Sequence, residues 1–161
     1  MIRLCKKEEY VTLVEILRDS FAVGSIDKRI EDKFGKVIGF DWWERKAVDI
    51  MREVEHYPTG VYVMEFEKKI AGFITTSMDK RFSVGKVHTL AIHPDYQGAG
   101  FGTRLLKHSL KLFKTNGMKI ARIEVLEDNP KAYELYKKLG FDEAGKQVHL
   151  VMDLGDRGLD G

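Results

Sequence analysis

The stretch Gln97-Gly98-Ala99-Gly100-Phe101-Gly102-Thr103 sets three glycines directly ahead of a run that mixes leucines with basic residues. A glycine-rich turn that opens a helix is an anion site. Unpaired backbone N–H groups and the positive end of the helix dipole converge there, and absent side chains let a phosphate reach the backbone. A pyrophosphate fits such a turn. Two known phosphate loops are tested by the spacing. The Walker loop needs Lys and then Ser or Thr directly after its last glycine, whereas Gly102 is followed by Thr103 and Arg104. The dinucleotide fingerprint needs glycine at its first, third and sixth places, and counted from Gly98 the sixth is Thr103. Neither pattern holds, although Glu124 lies near the distance of a ribose-binding acid.

Several side chains near this loop could move protons. Glu124 stands in Ile123-Glu124-Val125, where an unpaired acid is costly to bury, so a functional or salt-bridged role is expected. His88 lies in the apolar run ahead of the loop, and an ordinary pKa of about 6.5 suits proton transfer, although a hydrogen-bonded strand histidine is the plainer reading. Tyr136 shares a helix face with Ala132 and Leu139, which on spacing alone makes it a packing tyrosine. Trp42 and Trp43 read as core and rim, and Lys107, Lys111 and Lys114 as a solvated helix face. His93, His108 and His149 lack metal-ligand spacing, and the single cysteine, Cys5, excludes a cysteine-rich zinc site and an internal disulfide. No metal is expected.

These residues need a scaffold. Residues 1–5 suit a short strand, and Tyr10, Leu13, Val14, Leu17 and Phe21 recur at helical spacing behind it. Residues 22–40, with Gly24, Gly35 and Gly39, read as loops with at most one short helix. Asp41 and Glu44 resemble a capping box ahead of the stripe Trp43, Ala47, Ile50, Met51 and Val54. Strands over 61–66, 70–76 and 84–92 read as an antiparallel meander. A helix over 101–113 carries Leu105, Leu106, Leu112 and Phe113 on one face and ends at Asn116-Gly117. A strand over 120–126 follows. Asn129 then caps a helix begun by Pro130 and stopped at Leu139-Gly140, and a last strand over 148–154 closes the sheet. The expected fold class is α/β, a mixed and mostly antiparallel sheet flanked by helices. One domain over 1–154 and a frayed tail over 155–161 complete the expectation.

With 161 residues and 43% hydrophobic content, the chain is large enough for one core and too apolar for a disordered segment. Its 27 Lys and Arg stand against 25 Asp and Glu, a balance that draws it to neither nucleic acid nor anionic membrane. No run of about 20 apolar residues occurs, and the first residues lack an apolar signal core. A cytoplasmic protein, monomer or homodimer, is expected.

The run from Gln97 to Gly102 resembles the pyrophosphate pattern of GNAT superfamily N-acetyltransferases: Gln or Arg, two residues of any type, Gly, one of any type, then Gly or Ala. Leu90-Ala91-Ile92-His93-Pro94 is similar to the family's cofactor strand, and Asn129 with Leu135-Tyr136-Lys137-Lys138-Leu139-Gly140-Phe141 to its second motif. The resemblance implies the GNAT fold with acetyl-CoA as acyl donor. The backbone of Leu90, Ala91 and Ile92 would pair with the pantetheine arm. Gln97, Gly98, Ala99, Gly100, Phe101, Gly102 and Thr103 would wrap the pyrophosphate, with Asn129 on the pantetheine's other side. Strands 84–92 and 120–126 would splay around the thioester, with Tyr136 beside the CoA sulfur as acid and residues 22–56 as the substrate wall. Ile123-Glu124-Val125 followed by Asn129 resembles the strand of ribosomal-protein N-terminal alanine acetyltransferases, which implies Glu124 as base. Such a base is needed because lysine-type amines have a pKa of about 10.4 and α-amines about 7.7 to 8.0, and only the neutral amine attacks. The expected activity is direct acetyl transfer to a primary amine, either a peptide or protein N-terminus or a small amine. The alternative, a non-catalytic acyl-CoA-binding sensor, is opposed by Tyr136 and Glu124.

Overall fold

The computed structural model describes residues 1–22 and 24–155. Strand β1 (Ile2–Leu4) pairs with β2 (Val61–Phe66), and β2, β3 (Lys69–Asp79) and β4 (Val84–Ile92) form the antiparallel meander. Strand β5 (Ile120–Arg122) joins β4 in parallel, giving a five-stranded sheet in the order β1-β2-β3-β4-β5. Successive side chains of a strand point to opposite faces, which divides the core into two layers. Val63, Phe73 and Ala91 face helices α1 (Tyr10–Ser20) and α3 (Trp42–His56), which contribute Leu13, Ile16, Leu17, Ile50 and Val54. Met64, Ile74 and Val87 face α4 (Phe101–Thr115) with its Leu105, Leu106 and Phe113. Gly85 permits this second contact, since a Cβ there would stand only 2.5 Å from the Phe113 ring.

The punctuation acts where the residue types put it. The Glu44 carboxylate accepts the Asp41 N–H at 2.7 Å at the start of α3. Asn129 Oδ1 accepts the Ala132 N–H at 3.2 Å at the start of α5 (Pro130–Lys138). Residues 22–40 supply one helix, α2 (Ile26–Phe34), which packs on α3.

Two strand expectations are corrected. The strand expected over 120–126 ends at Arg122, where β5 parts from β4. The strand expected over 148–154 does not form: residues 141–155 hold neither helix nor strand, and Val148, Leu150 and Leu154 are exposed. Apolar alternation describes what a strand needs from its faces, but a strand also needs a ladder partner for its backbone. With β5 only three residues long, the segment finds none among the described residues. Residues 156–161, most of the expected tail, lie outside the described residues. No described helix is long and apolar enough to cross a membrane.

Candidate active site

Strands β4 and β5 are tied only at Val84–Ile120, Gly85–Ala121 and Lys86–Arg122. Beyond Lys86 no strand among the described residues neighbours the outer edge of β4. The Thr89 and His93 N–H groups point inward to β3, onto Thr75 Oγ1 at 3.0 Å and the Ala71 carbonyl at 2.9 Å. Backbone groups alternate sides along an antiparallel strand, so those of Leu90 and Ile92 lie on the open edge. The Gln97 amide donates to the Ile92 carbonyl there at 3.1 Å, tying the glycine loop to the end of the strand.

The loop turns on Gly98 and Gly100, whose φ values of 84° and 77° are left-handed and favour glycine. From Gly98 to Thr103 the backbone N–H groups donate to no acceptor among the described residues, and the first accounted N–H is that of Arg104, onto the Gly100 carbonyl at 3.1 Å. These donors gather at the positive end of α4, and a Cβ on Gly98 or Gly100 would meet nothing within 4 Å. Consecutive donors with no internal acceptor, in open space at a helix N-terminus, fit a pyrophosphate. Asn129 uses its carbonyl oxygen to cap α5, and Gly24 lies beside its amide nitrogen. Tyr136, half-buried on α5, packs against the α4 layer with Phe141, 6.0 Å between ring centroids. Burial pushes its phenol up to about 12.

On the α3 side, where β4 leaves β5, lies a cavity of about 470 Å³. Glu124 and His88 both line it. Glu124 is exposed and pairs with Lys86 at 3.2 Å and Arg122 at 3.7 Å, so its cost of burial does not arise. His88 occupies a bulge: Thr75 opposes Thr89 and Thr76 opposes Val87, leaving His88 without an opposite residue. Its Nε2 is 2.7 Å from Ser77 Oγ, and its ring stacks on Tyr57 at 5.4 Å. Burial, then Lys86, pushes its pKa down, which keeps the ring neutral at neutral pH.

A third group was not singled out from the sequence. Glu53 of α3 reaches the cavity with its carboxylate held by the hydroxyls of Thr75 and Thr89. Its signal was present: it falls between Ile50 and Val54, inside the apolar stripe, where a charge is out of pattern. Trp42, not Trp43, is the tryptophan buried in the core. Among the described residues no cluster of His, Cys, Asp or Glu is arranged to hold a metal ion.

The Acetyltransferase (GNAT) family matches residues 11–141, a stretch that contains the open edge, the glycine loop, Glu124 and Tyr136. The chain belongs to the GNAT family. Among relatives, an uncharacterized N-acetyltransferase of Methanocaldococcus jannaschii is 33% identical over 90 residues, covering 52% of this chain and 39% of that protein. The chain therefore corresponds to less than half of that curated relative. Among solved structures, the PaiA N-acetyltransferase of Thermoplasma acidophilum in complex with coenzyme A has a TM-score of 0.71 at 22% identity, covering 88% of this chain and 89% of that one. The ribosomal-protein-S18-alanine N-acetyltransferase of Escherichia coli has a TM-score of 0.61 at 19% identity, covering 90% and 79%. These two likenesses show the fold and nothing narrower.

Proposed function

We propose that this GNAT protein transfers the acetyl group of acetyl-CoA directly to a primary amine. One observation carries the reading. The open edge of β4 lies between a loop of unpaired N–H donors on the α4 side and, on the α3 side, a cavity whose lining mixes the carboxylates Asp49, Glu53 and Glu124 with Lys46, Arg52 and Lys86, so donor and acceptor reach the parted strands from opposite faces. Acetyl-CoA, as donor, supplies the activated carbonyl.

In this reading Gln97 to Thr103 hold the pyrophosphate, the backbone of Leu90 to Ile92 pairs with the pantetheine arm and Asn129 flanks it. Tyr136 protonates the departing thiolate: a phenol held protonated by burial is ready to donate throughout neutral pH. Glu124, at the cavity wall, draws the amine's proton away through water. The acceptor is a peptide or protein N-terminus or a small amine. The Glu124 stretch, with its resemblance to ribosomal-protein alanine acetyltransferases, favours the former.

The test is thiol release from acetyl-CoA with a peptide bearing a free alanine N-terminus, with spermidine and with tyramine. Release that depends on one of them supports the reading. Tight acetyl-CoA binding with no release for any amine supports the sensor alternative.

A further inference from the structure

We propose that Glu53 is the carboxylate that meets the acceptor's ammonium group and takes its first proton, a reading that rests on acetyl transfer to an amine at this cavity. The argument begins with its place on α3. Ile50 and Val54 are fully buried against the sheet, and on a helix residues three and four apart share a face, so Glu53 is carried onto the sheet rather than into solvent. There Oε2 accepts the Thr75 hydroxyl at 2.5 Å and the Thr89 hydroxyl at 3.1 Å, and Oε1 lies 3.4 Å from the same Thr89 hydroxyl. Thr89 directly precedes Leu90, the first residue of the proposed cofactor edge. The carboxylate thus stands between the cavity by which an acceptor arrives and the strand along which the thioester lies.

An ionised carboxylate has about four acceptor positions, and two hydroxyls leave room for an ammonium. None of the ion pairs among the described residues includes Glu53; its neighbours Arg52 and Lys86 pair instead with Asp49 and Glu124. A part-buried acid without a direct ion-pair partner costs stability, and a ligand ammonium would supply one. Burial pushes the Glu53 pKa up, against the pull of the two threonine hydroxyls and Lys46, with Asp49 adding to the rise. A raised carboxyl pKa brings a proton acceptor nearer the pH at which it works. The other groups facing this space are Arg52 and His56 from its own helix, Lys86 and His88 from β4, and Glu124 beyond β5. Glu124 is exposed and already paired with Lys86, which suits it to pass protons to water rather than to receive the amine.

The step balances as follows. One N–H bond of the ammonium breaks and its proton passes to Glu53, and from there to bulk water by way of Glu124. The neutral nitrogen forms the C–N bond and the C–S bond breaks. The thiolate takes the Tyr136 proton, and the second proton lost by the nitrogen restores the phenol. The net change is ammonium plus thioester to amide, thiol and one released proton.

The experiment uses Glu53→Gln and Glu124→Gln, assayed with whichever of the three amines above the wild type turns over fastest. Glu53→Gln preserves shape and a hydroxyl acceptor. Its kcat/KM for the amine is expected to fall at least about tenfold at neutral pH and to recover as pH approaches the amine's own pKa, within the range of general acid–base effects. The thermal shift given by acetyl-CoA should be unchanged, and the unliganded variant at least as stable as the wild type. A wild-type rate and pH profile would overturn the proposal. So would a loss that tracks a lower Tm and does not recover with pH, since a structural prop behaves that way. Failure of the underlying function looks different, because then the wild type itself releases no thiol with any amine.

Discussion

Tyr136 is a ring in the core layer and a hydroxyl in the proposed chemistry, and Tyr136→Phe separates the two. The ring stays, so Tm and acetyl-CoA binding should hardly move, while the chemical step slows by about 10²-fold if the phenol is the acid; single-turnover kinetics measure it. The same side chain gives an alkaline signature. Its phenol sits near 12 in the fold against an ordinary 10, so between those values the unfolded chain gives up its proton first and stability declines as pH rises. Urea midpoints across that window should fall for the wild type and stay flatter for Tyr136→Phe. Gly100 acts through backbone alone. At φ 77° a Cβ is strained by about 1 kcal/mol or more even though it meets no atom, so Gly100→Val should weaken acetyl-CoA binding, read by calorimetry, with some loss of Tm.

Helix α5 carries Tyr136 on only nine residues, too few for a helix to stand on its own propensity, so its cap matters. Asn129→Ala removes the bond to the Ala132 N–H and should cost about 1 kcal/mol, seen as a lower urea midpoint and, because the helix positions the phenol, a slower turnover. At the other end of the sheet, β1 is three residues long and is clamped by Arg3, which pairs with Glu9 and with Glu65 of β2, both at 2.7 Å. The Arg3 hydrogen bond is the main force pulling the Glu9 carboxyl down from 4.5 to about 2. A depressed carboxyl stabilises the fold above its unfolded value and loses that contribution as pH falls toward the folded one. Stability should therefore drop as pH falls from about 4.5 to about 2, and Glu9→Gln, lower in stability at neutral pH, should show a shallower acid slope.

For the molecule as a unit, acetyl-CoA is expected to bridge three elements, the open edge of β4, the N-terminus of α4 and the cap of α5. A ligand that binds only the folded state at about a hundred times its Kd adds about 2.7 kcal/mol. Differential scanning calorimetry should show a clear rise in Tm with acetyl-CoA and a much smaller one with adenosine. An equal rise with ATP or NAD would remove the cofactor assignment.

Local chemistry was legible in the chain alone wherever it depends on neighbours in sequence. Asn129-Pro130 caps α5, Asp41 and Glu44 open α3, and glycines at 98 and 100 turn the loop ahead of α4, because caps and left-handed turns are settled within a few residues. The meander was legible as well, since period-two alternation marks strands that have partners on both sides. Partnership itself was not. Residues 123–126 and 148–154 alternate as strands do, yet β5 ends at Arg122 and the last strand is absent, because a ladder depends on where a second backbone runs. The same limit hid Glu53. In sequence it is one charge in an apolar stripe, far from the loop and from Glu124. Only the packing of α3 across β3 and β4 brings it to Thr75 and Thr89 and sets it in the wall of the cavity.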